Sequence, residues 1–364
     1  MESRSCGQTL RNHVNSRIQL FLFLLFTAPS VSLPAEQWFK GNTHAHTTIC
    51  GHADSKPDVV AGWYHDHGYN FLILSEHNHF IDPASVKLPK KVRRDFLLIP
   101  GEEVTGHKVI HTTAMNIDHL VPWHFDHKER SKIIQNHVDE TRKAGGTTIL
   151  NHPNFRWAVK PEDILPVDHL YMFELYNGHP AVANFGDAHH QSTEEQWDQL
   201  LTAGMKMYAV ASDDAHHFAK LGDRLSNPGR GWVMVKASKL DAHTITHAML
   251  DGDFYATSGV MLKQVEVRNN TLSVEIDTSA TDRELESPVL PGSRAREGKP
   301  GYLIEFIGPE GKVLKSVSGT KAEFLVSDCH SYVRCKVSFL QKGEDEKLRA
   351  YYAWTQPVFT DGRR

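Results

Sequence analysis

Three histidines stand close together near residue 50, and their side chains are of the type that binds metal ions. His44 and His46 follow a short predicted strand, and His52 comes six residues after His46. In an extended segment, side chains two residues apart point to the same side, so His44 and His46 would converge on one point. Neutral imidazole is the commonest protein ligand for zinc-like metals. The spacing therefore predicts one part of a metal site, which needs further ligands from elsewhere in the chain.

Side chains of the same chemistry recur further along the chain, at positions where apolar stretches end. Neighbouring acids leave two positions open, because Glu102 is an alternative to Glu103 and Asp213 is an alternative to Asp214. A structural histidine has no reason to prefer strand ends, so the recurrence predicts that these residues share one metal site. The candidate ligands, in chain order, are His44, His46, His52, His77, Glu103, His111, His152, Asp214 and His216.

The stretches that carry these ligands alternate with segments typical of helices. Continuous apolar runs are expected of parallel strands that are buried on both faces. A parallel α/β barrel carries its functional residues at the carboxyl ends of its strands. The alternation therefore predicts such a barrel over residues 36–260. The apolar runs are 71–74, 96–99, 147–150, 170–173 and 207–210.

The pattern changes after residue 260, where helical periodicity gives way to short β-type runs separated by turn-forming residues. Runs of this kind predict a small antiparallel β-sandwich over residues 261–364. Within it, residues 277–300 are predicted to form a long surface loop.

Residues 1–32 have the layout of a secretory signal peptide, with arginines before a short apolar run and small residues after it. We therefore expect an exported protein, secreted or periplasmic. An uncleaved N-terminal anchor is the alternative, and no other association with a membrane is expected. The net charge of −4 over 364 residues offers no basic surface for nucleic acid. The oligomeric state is left open.

The chain has four cysteines, of which Cys50 lies inside the first histidine cluster. It is more typical of a small buried residue than of a metal ligand. Cys329 and Cys335 would be able to pair in an exported protein, but two cysteines do not make a disulfide framework.

The order and the contexts of the candidate ligands resemble the polymerase-and-histidinol-phosphatase (PHP) family of metal-dependent phosphoesterases. The resemblance covers about residues 38–260. Two positions depart from the family pattern without removing a ligand: Glu76 stands where Asp is usual, and Asn151 stands where a small residue is expected. The motifs are His44-Ala45-His46, Glu76-His77, Gly101-Glu102-Glu103, His111, His152-Pro153 and Asp214-Ala215-His216.

The resemblance implies a distorted (β/α)7 TIM-like barrel of the PHP type and two to three divalent metal ions, with zinc, manganese or iron suited to a histidine-rich site. It also implies how the ligands divide. His44, His46, Glu103 and Asp214 would hold one ion; Glu103 would bridge to a second ion at His111 and His152; His52, His77 and His216 would hold a third.

A centre of this kind predicts an enzyme that hydrolyses a small-molecule phosphate ester by attack of a metal-bridging hydroxide. Glu103, Asp214 and Arg230 are the predicted catalytic residues. Arg230 lies in a glycine-rich turn and would clamp the phosphate, although a surface arginine in a turn is an equal alternative. The general acid is not identified, but Asp213 or His217 would be able to serve.

Two other functions are compatible with the same residues. An amidohydrolase-type metal hydrolase also begins with His-x-His, but that group commonly uses a modified lysine where this chain offers Glu103 and His152. A non-catalytic, metal-stabilised protein that binds a surface or a glycan is the other alternative. The seven tryptophans are scattered along the chain and form no aromatic row in the C-terminal segment that would support it.

Overall fold

A computed structural model describes residues 36–294, 298–343, 345–360 and 362 of the chain. The predicted signal peptide, residues 1–32, lies outside these residues. In the part that is described, no helix has the length and apolar character needed to cross a membrane.

The first part of the described chain contains both strands and helices, which alternate over only part of its length. The strands are β1 (Gln37–Ala45), β2 (Phe71–Leu74), β3 (Leu97–Ile99), β4 (Gly101–Thr105), β5 (His111–Met115), β6 (Thr147–Leu150), β7 (Met172–Asn177), β8 (Tyr208–Ser212), β9 (Trp232–Ala237) and β10 (Phe254–Thr257). The helices are α1 (Pro57–Asp66), α2 (Arg130–Lys143), α3 (Pro161–Ile164), α4 (Thr193–Thr202) and α5 (Ala242–Asp251).

Local sequence signals set several of these boundaries. Helix α1 begins at Pro57, whose fixed φ suits the first helical position. Helix α4 begins with a capping box: the Ser192 hydroxyl accepts a hydrogen bond from the Glu195 amide, and the Glu195 carboxylate accepts one from the Ser192 amide. Strand β2 is buried along its whole length, as its continuous apolar sequence predicts.

The strands of this part belong to two mixed sheets, which do not close into a barrel. Strand β1 pairs in parallel with β2 and antiparallel with β9, and β10 extends the same sheet. Strands β4 to β8 form a separate sheet. Two isolated bridges link the sheets, Ala45 with Ala215 and His77 with Glu103. The fold is therefore mixed α/β, and the described residues do not form the continuous parallel barrel that the sequence predicts.

One departure from a parallel arrangement, the reversal of β5, has a physical cause at residues 106–110. Strands β4 and β5 are joined by this short connection, and a parallel crossover needs a dozen or more residues. The two strands consequently pair antiparallel, with His111 opposite Thr105. His111 begins its strand at the edge where β4 ends. Apolar runs alone do not reveal such a reversal.

A shared hydrophobic core holds the strands of the two sheets against each other. Burying a large aliphatic or aromatic side chain contributes roughly 1.5–3 kcal/mol, so this core gives the strand ends a rigid support. Its buried side chains include Phe39, Phe71, Ile73, Ile99, Met115, Ile149, Met172, Val210 and Val233.

The C-terminal part is mainly antiparallel β-structure, and its larger sheet is continuous with that of the first part. Strand β18 pairs with β10, so one sheet runs from the C-terminal strands to β1 and beyond. The proposed division of the chain between residues 260 and 261 stays a prediction. The strands are β11 (Leu262–Arg268), β12 (Thr271–Ile276), β13 (Ser293–Arg294), β14 (Gly301–Ile307), β15 (Val313–Ser318), β16 (Lys321–Leu325), β17 (Tyr332–Lys342), β18 (Leu348–Thr355) and β19 (Val358–Phe359).

One stretch that the sequence analysis assigned to a surface loop contains a helix, α6 (Thr278–Leu285). The helix forms because Asp277 caps it, accepting a hydrogen bond from the Ala280 amide at 2.8 Å. Its Glu284 pairs with the buried Lys40 of β1 at 2.8 Å. Cys329 and Cys335 are both buried and are not joined by a disulfide.

A buried ion cluster connects helix α4 to strand β17. The Arg334 guanidinium donates to both carboxylate oxygens of Asp198, at 2.8 and 2.6 Å, and to Glu194 at 3.0 Å. Lys336 donates to the other oxygen of Glu194 at 2.6 Å. These two cations lower the pKa of Glu194 to about 2, although burial alone would raise it. The cluster therefore ties the first part of the chain to the C-terminal sheet.

Candidate metal centre

Backbone hydrogen bonds hold the ligand-bearing segments together at the two bridges between the sheets. The His46 amide donates to the Ala215 carbonyl, and the Asp214 amide donates to the His44 carbonyl, each at 2.9 Å. At the other bridge, the Glu103 amide donates to the Glu76 carbonyl at 2.9 Å. The predicted ligands therefore lie where the two sheets meet.

Four of the predicted ligands converge with their donor atoms at ligand-to-ligand distances. The Nε2 atoms of His44 and His46 are 3.1 Å apart, and they lie 3.4 and 3.3 Å from Oδ1 of Asp214. Oε1 of Glu103 lies 3.3 Å from His44 Nε2. Two ligands on one tetrahedral ion, with bonds of about 2.0–2.1 Å, are separated by roughly 3.4 Å. The spacing fits a metal ion, so these four residues would be able to hold one.

The Glu103 carboxylate is the hub of the cluster, because ring nitrogens of five histidines surround it. Oε1 lies 3.2 Å from both His111 Nδ1 and His152 Nε2. Oε2 lies 2.6 Å from His77 Nδ1 and 3.7 Å from His46 Nε2. A carboxylate has two oxygens and is therefore suited to bridge two ions. Glu102, the alternative at this position, accepts a hydrogen bond from the Val121 amide instead and is not in the cluster.

A third group brings together His52, His77 and His216, whose ligand atoms lie within 4.8 Å of one another. The Nδ1 atoms of His52 and His216 face backbone carbonyls, those of Cys50 at 3.1 Å and Asp214 at 2.9 Å. A carbonyl only accepts, so Nδ1 carries the proton in both rings and Nε2 keeps its lone pair. Both rings thus have the tautomer that binds a metal through Nε2.

The centre is buried on one side and open on the other. His44, His46 and Glu103 are fully buried, whereas His77 is one quarter exposed and His52 is exposed. A ligand from solvent would therefore approach along His52 and His77.

The charges of the cluster favour a cation at its centre. Burial would raise the pKa of Glu103, but His111, His44 and His77 lower it well below the ordinary value. Burial would lower the pKa of His44, but Asp214, Glu174 and Glu103 raise it well above the ordinary value. The buried carboxylates thus create a negative potential that a bound metal ion would neutralise. Burial and His216 hold the pKa of His46 well below its ordinary value, which keeps that ring neutral.

Two of the predicted ligands have left-handed backbone conformations. The φ angles are +26° at His152 and +50° at Asp214. Such angles are uncommon outside glycine and cost of order 1–3 kcal/mol, and they concentrate at functional sites. The surrounding structure holds both residues in place: the His152 amide donates to Glu174 at 2.8 Å, and the Asp214 amide bonds to His44.

Glu174 is a buried residue of the site that the sequence analysis did not select. Its Oε1 accepts a hydrogen bond from His44 Nδ1 at 2.8 Å, and the Ser212 hydroxyl donates to the same oxygen at 2.5 Å. A carboxylate behind a metal-binding histidine fixes its tautomer and its orientation. The signal was present in the sequence, because Glu174 also ends an apolar run.

Two asparagines position the carboxylates of the site. Asn151, which departs from the family pattern, donates to Glu103 Oε1 at 3.0 Å and accepts from the Thr113 amide. Asn177 donates to Asp214 Oδ2 at 3.3 Å. Glu76, the other departure, accepts a hydrogen bond from the Thr47 amide at 2.6 Å and so anchors the loop after His46. Each unusual residue therefore supports the cluster.

The predicted phosphate clamp, Arg230, has a different environment from the one expected. It is buried, and its guanidinium contacts the carbonyls of Val289, Gly178 and Gly222 and the side chain of Asn227. None of these partners is a predicted metal ligand. The sequence does not show which backbone carbonyls an arginine will contact. A structural arginine bound to carbonyls therefore cannot be told from a phosphate-binding arginine by sequence alone. We assign Arg230 a structural role, in which it holds together the loops that carry these carbonyls.

Asp213 likewise has a structural role and is not placed to act as a general acid. Its carboxylate accepts hydrogen bonds from Tyr64 and from the amides of Gly229, Arg230 and Gly231. His217, the other residue considered for this role, contacts the Ser226 hydroxyl at 3.1 Å. The sequence pattern gives no role to His179, whose ring lies 5.9 Å from that of His216.

No protein-family model matches the chain, and no curated protein matches it. Among solved structures, the fold is similar to a two-domain protein from Bacteroides vulgatus ATCC 8482 that contains a predicted PHP-like metal-dependent phosphoesterase. The two are 14% identical, the match covers 85% of this chain and 93% of that chain, and the TM-score is 0.45. A likeness this distant carries no functional conclusion, which has to come from the residues of the site.

Proposed function

We propose that the protein is a metal-dependent hydrolase that cleaves a phosphate ester in a centre of two or three divalent ions. One observation carries the proposal: ring nitrogens of His44, His46, His77, His111 and His152 all lie within 3.7 Å of the buried Glu103 carboxylate. One ion cannot account for so many donors on both oxygens. Shared ligands of this kind are typical of two-metal sites.

The donor set favours particular ions and a particular chemistry. Imidazole and carboxylate ligands suit zinc, iron or manganese better than calcium or magnesium. When bound, such ions act as Lewis acids: they lower the pKa of a water molecule and neutralise charge that develops on a phosphate oxygen.

The residues behind the ligands would keep the centre ready for substrate. Glu174 orients His44, while Asn151 and Asn177 hold Glu103 and Asp214. Because these partners are buried, few side-chain rearrangements are needed when charge develops in the reaction, which is how a preorganised site lowers a barrier. The substrate would enter along the exposed His52.

We assign His179 to donate a hydrogen bond to the leaving group. Its Nδ1 accepts a hydrogen bond from the Ala181 amide at 3.1 Å, so the proton of the neutral ring is on Nε2. Burial lowers the pKa of His179, which favours that neutral form. The ring contacts both His216 and Phe155.

The position of lysine argues against an amidohydrolase-type centre. That group commonly brings a modified lysine to the bridging position, which here is held by Glu103. The buried Lys40 pairs with Glu284 and lies over the rings of Tyr69 and Trp232.

We also propose export, supported by the pattern of residues 1–32, and a small-molecule substrate, supported by the buried position of most ligands.

The test is hydrolysis of p-nitrophenyl phosphate and bis(p-nitrophenyl) phosphate by protein loaded with zinc, manganese or iron. We expect cleavage of at least one ester near neutral pH, and its loss in His152→Ala. His65→Ala is the matched control, because His65 lies on helix α1 and pairs with Asp66. A loaded protein that cleaves neither ester would sink the proposal.

A further inference from the structure

Cys50 lies beside two of the predicted ligands, although nothing in the motif assigns it a role. It ends a short 3-10 helix, Thr48–Cys50, in the loop between His46 and His52. Its sulfur and one nitrogen each from His46 and His216 all lie within 4.8 Å of one another. The side chain is partly exposed. A thiol and two imidazoles at this spacing form a group that would be able to hold an ion.

Both histidines of this group have a buried ring nitrogen for which the described part of the chain offers no hydrogen-bond partner. His46 turns Nε2 toward His44 and Asp214, and its Nδ1 has no partner. His216 uses Nδ1 to donate to the Asp214 carbonyl, and its Nε2 has no partner. The two residues are 0% and 6% exposed. A buried polar atom without a partner costs roughly 1–3 kcal/mol, so the lone pair on His216 Nε2 points to a ligand that would satisfy it. The neutral ring of His46 carries a proton on one nitrogen and would bind a metal through the other.

The backbone holds Cys50 in a defined place relative to these rings. Its amide donates to the Thr47 carbonyl at 3.1 Å, and its carbonyl faces His52 Nδ1 at 3.1 Å. The Thr47 amide is in turn bound by Glu76. Gly51 follows with φ +82° and caps the 3-10 helix, in a conformation that glycine adopts without strain.

We propose that Cys50 is a thiolate ligand of the metal centre, in the group that it forms with His46 and His216. This inference rests on the proposed function, since it requires that the centre binds metal. On coordination the S–H bond breaks, a sulfur–metal bond forms, and the proton leaves to solvent. A thiolate is a soft ligand that favours zinc over manganese or magnesium. Cys50 would therefore select zinc for this centre.

The deciding experiment is X-ray absorption at the zinc edge on the purified, zinc-loaded protein. We expect a sulfur shell at about 2.3 Å beside nitrogen and oxygen neighbours at about 2.0–2.2 Å. The sulfur shell should vanish in Cys50→Ser. It should persist in Cys329→Ser, a matched control, because Cys329 is a buried cysteine of the C-terminal part.

Metal affinity provides a second readout of the same variants. Loss of a residue that only hydrogen-bonds to a metal ligand already lowers metal affinity about 10–100-fold. We therefore expect Cys50→Ser to lower zinc affinity at least about tenfold, with a smaller effect on manganese. Equal losses for the two ions would contradict a selective thiolate.

Alkylation of the unmodified protein keeps the test independent of how the variants fold. Iodoacetamide should label Cys50 in metal-free protein, and added zinc should slow that labelling, as read by mass spectrometry of the peptide. Bound zinc with only nitrogen and oxygen neighbours, and unchanged labelling of Cys50, would overturn this inference and leave the proposed hydrolase standing. A protein that binds no zinc would overturn both.

Discussion

Glu174 Oε1 lies 2.8 Å from His44 Nδ1, and both side chains are completely buried. The contact joins strand β7 to the end of strand β1, across the two sheets. It directs Nδ1 of His44 to Glu174 and leaves Nε2 facing Glu103 and Asp214. Burial would raise the pKa of Glu174, but His44 lowers it by more, so this pKa lies below its ordinary value. Glu174 is thus a charged positioning residue.

Replacing this carboxylate should weaken metal binding without removing any ligand. We expect Glu174→Gln to lower zinc affinity about 10–100-fold, the range found for partners of metal-binding histidines. Competition with a chelator measures the affinity. Glu162→Gln is the control, since the Glu162 side chain is 71% exposed. An unchanged affinity in Glu174→Gln would show that His44 does not depend on this contact.

The adjacent acids Glu102 and Glu103 offer a matched pair for testing the bridge. Glu103→Gln should lower the metal content of the protein by more than one ion per chain, because the lost carboxylate would be shared between ions. Glu102→Gln should keep the wild-type content. Elemental analysis after gel filtration measures both variants, and wild-type metal content in Glu103→Gln would rule out a bridging role.

Removal of His179 should separate turnover from metal binding. Since we assign His179 to hydrogen-bond the leaving group, His179→Ala should lower kcat by about 10²-fold, the effect typical of a lost preorganised donor. Metal content should not change, because His179 is outside the ligand set. A fall in metal content with kcat per ion unchanged would instead make His179 a ligand.

The buried ion cluster predicts how stability depends on pH. The pKa of Glu194 is about 2 in the folded protein and 4.5 for the free side chain. A depressed pKa stabilises the fold above the ordinary value, and this contribution is lost as pH falls from about 4.5 toward 2. The difference corresponds to about 3 kcal/mol.

Denaturant unfolding at several pH values measures this effect. Between pH 5 and pH 2 the free energy of unfolding should fall less steeply in Glu194→Gln than in the wild type. Glu310→Gln, at an exposed position, should follow the wild type. Parallel curves for Glu194→Gln and the wild type would mean that the ion cluster does not couple to protonation.

His44 and His46 show most clearly how much of the site can be predicted from the sequence. Their spacing on a strand makes them point the same way whatever the rest of the fold is, so local geometry suffices to predict that they converge. Glu103 and Asp214 were candidate ligands with Glu102 and Asp213 as alternatives, and the structure places Glu103 and Asp214 in the cluster. Side chains at the ends of neighbouring strands share one edge of the fold.

Tertiary structure decided what no local pattern could specify. Whether Arg230 faces a substrate or four protein oxygens depends on which loops pack against it, and β5 reverses direction because its connection to β4 is short. The partnership of Glu174 with His44 joins residues 130 positions apart. The sequence determines which side chains each strand carries and which way neighbouring ones point, because these properties depend only on residues close together in the chain. Buried polar contacts between distant segments arise only once the strands have taken their places, and these contacts decide which available side chains form the site.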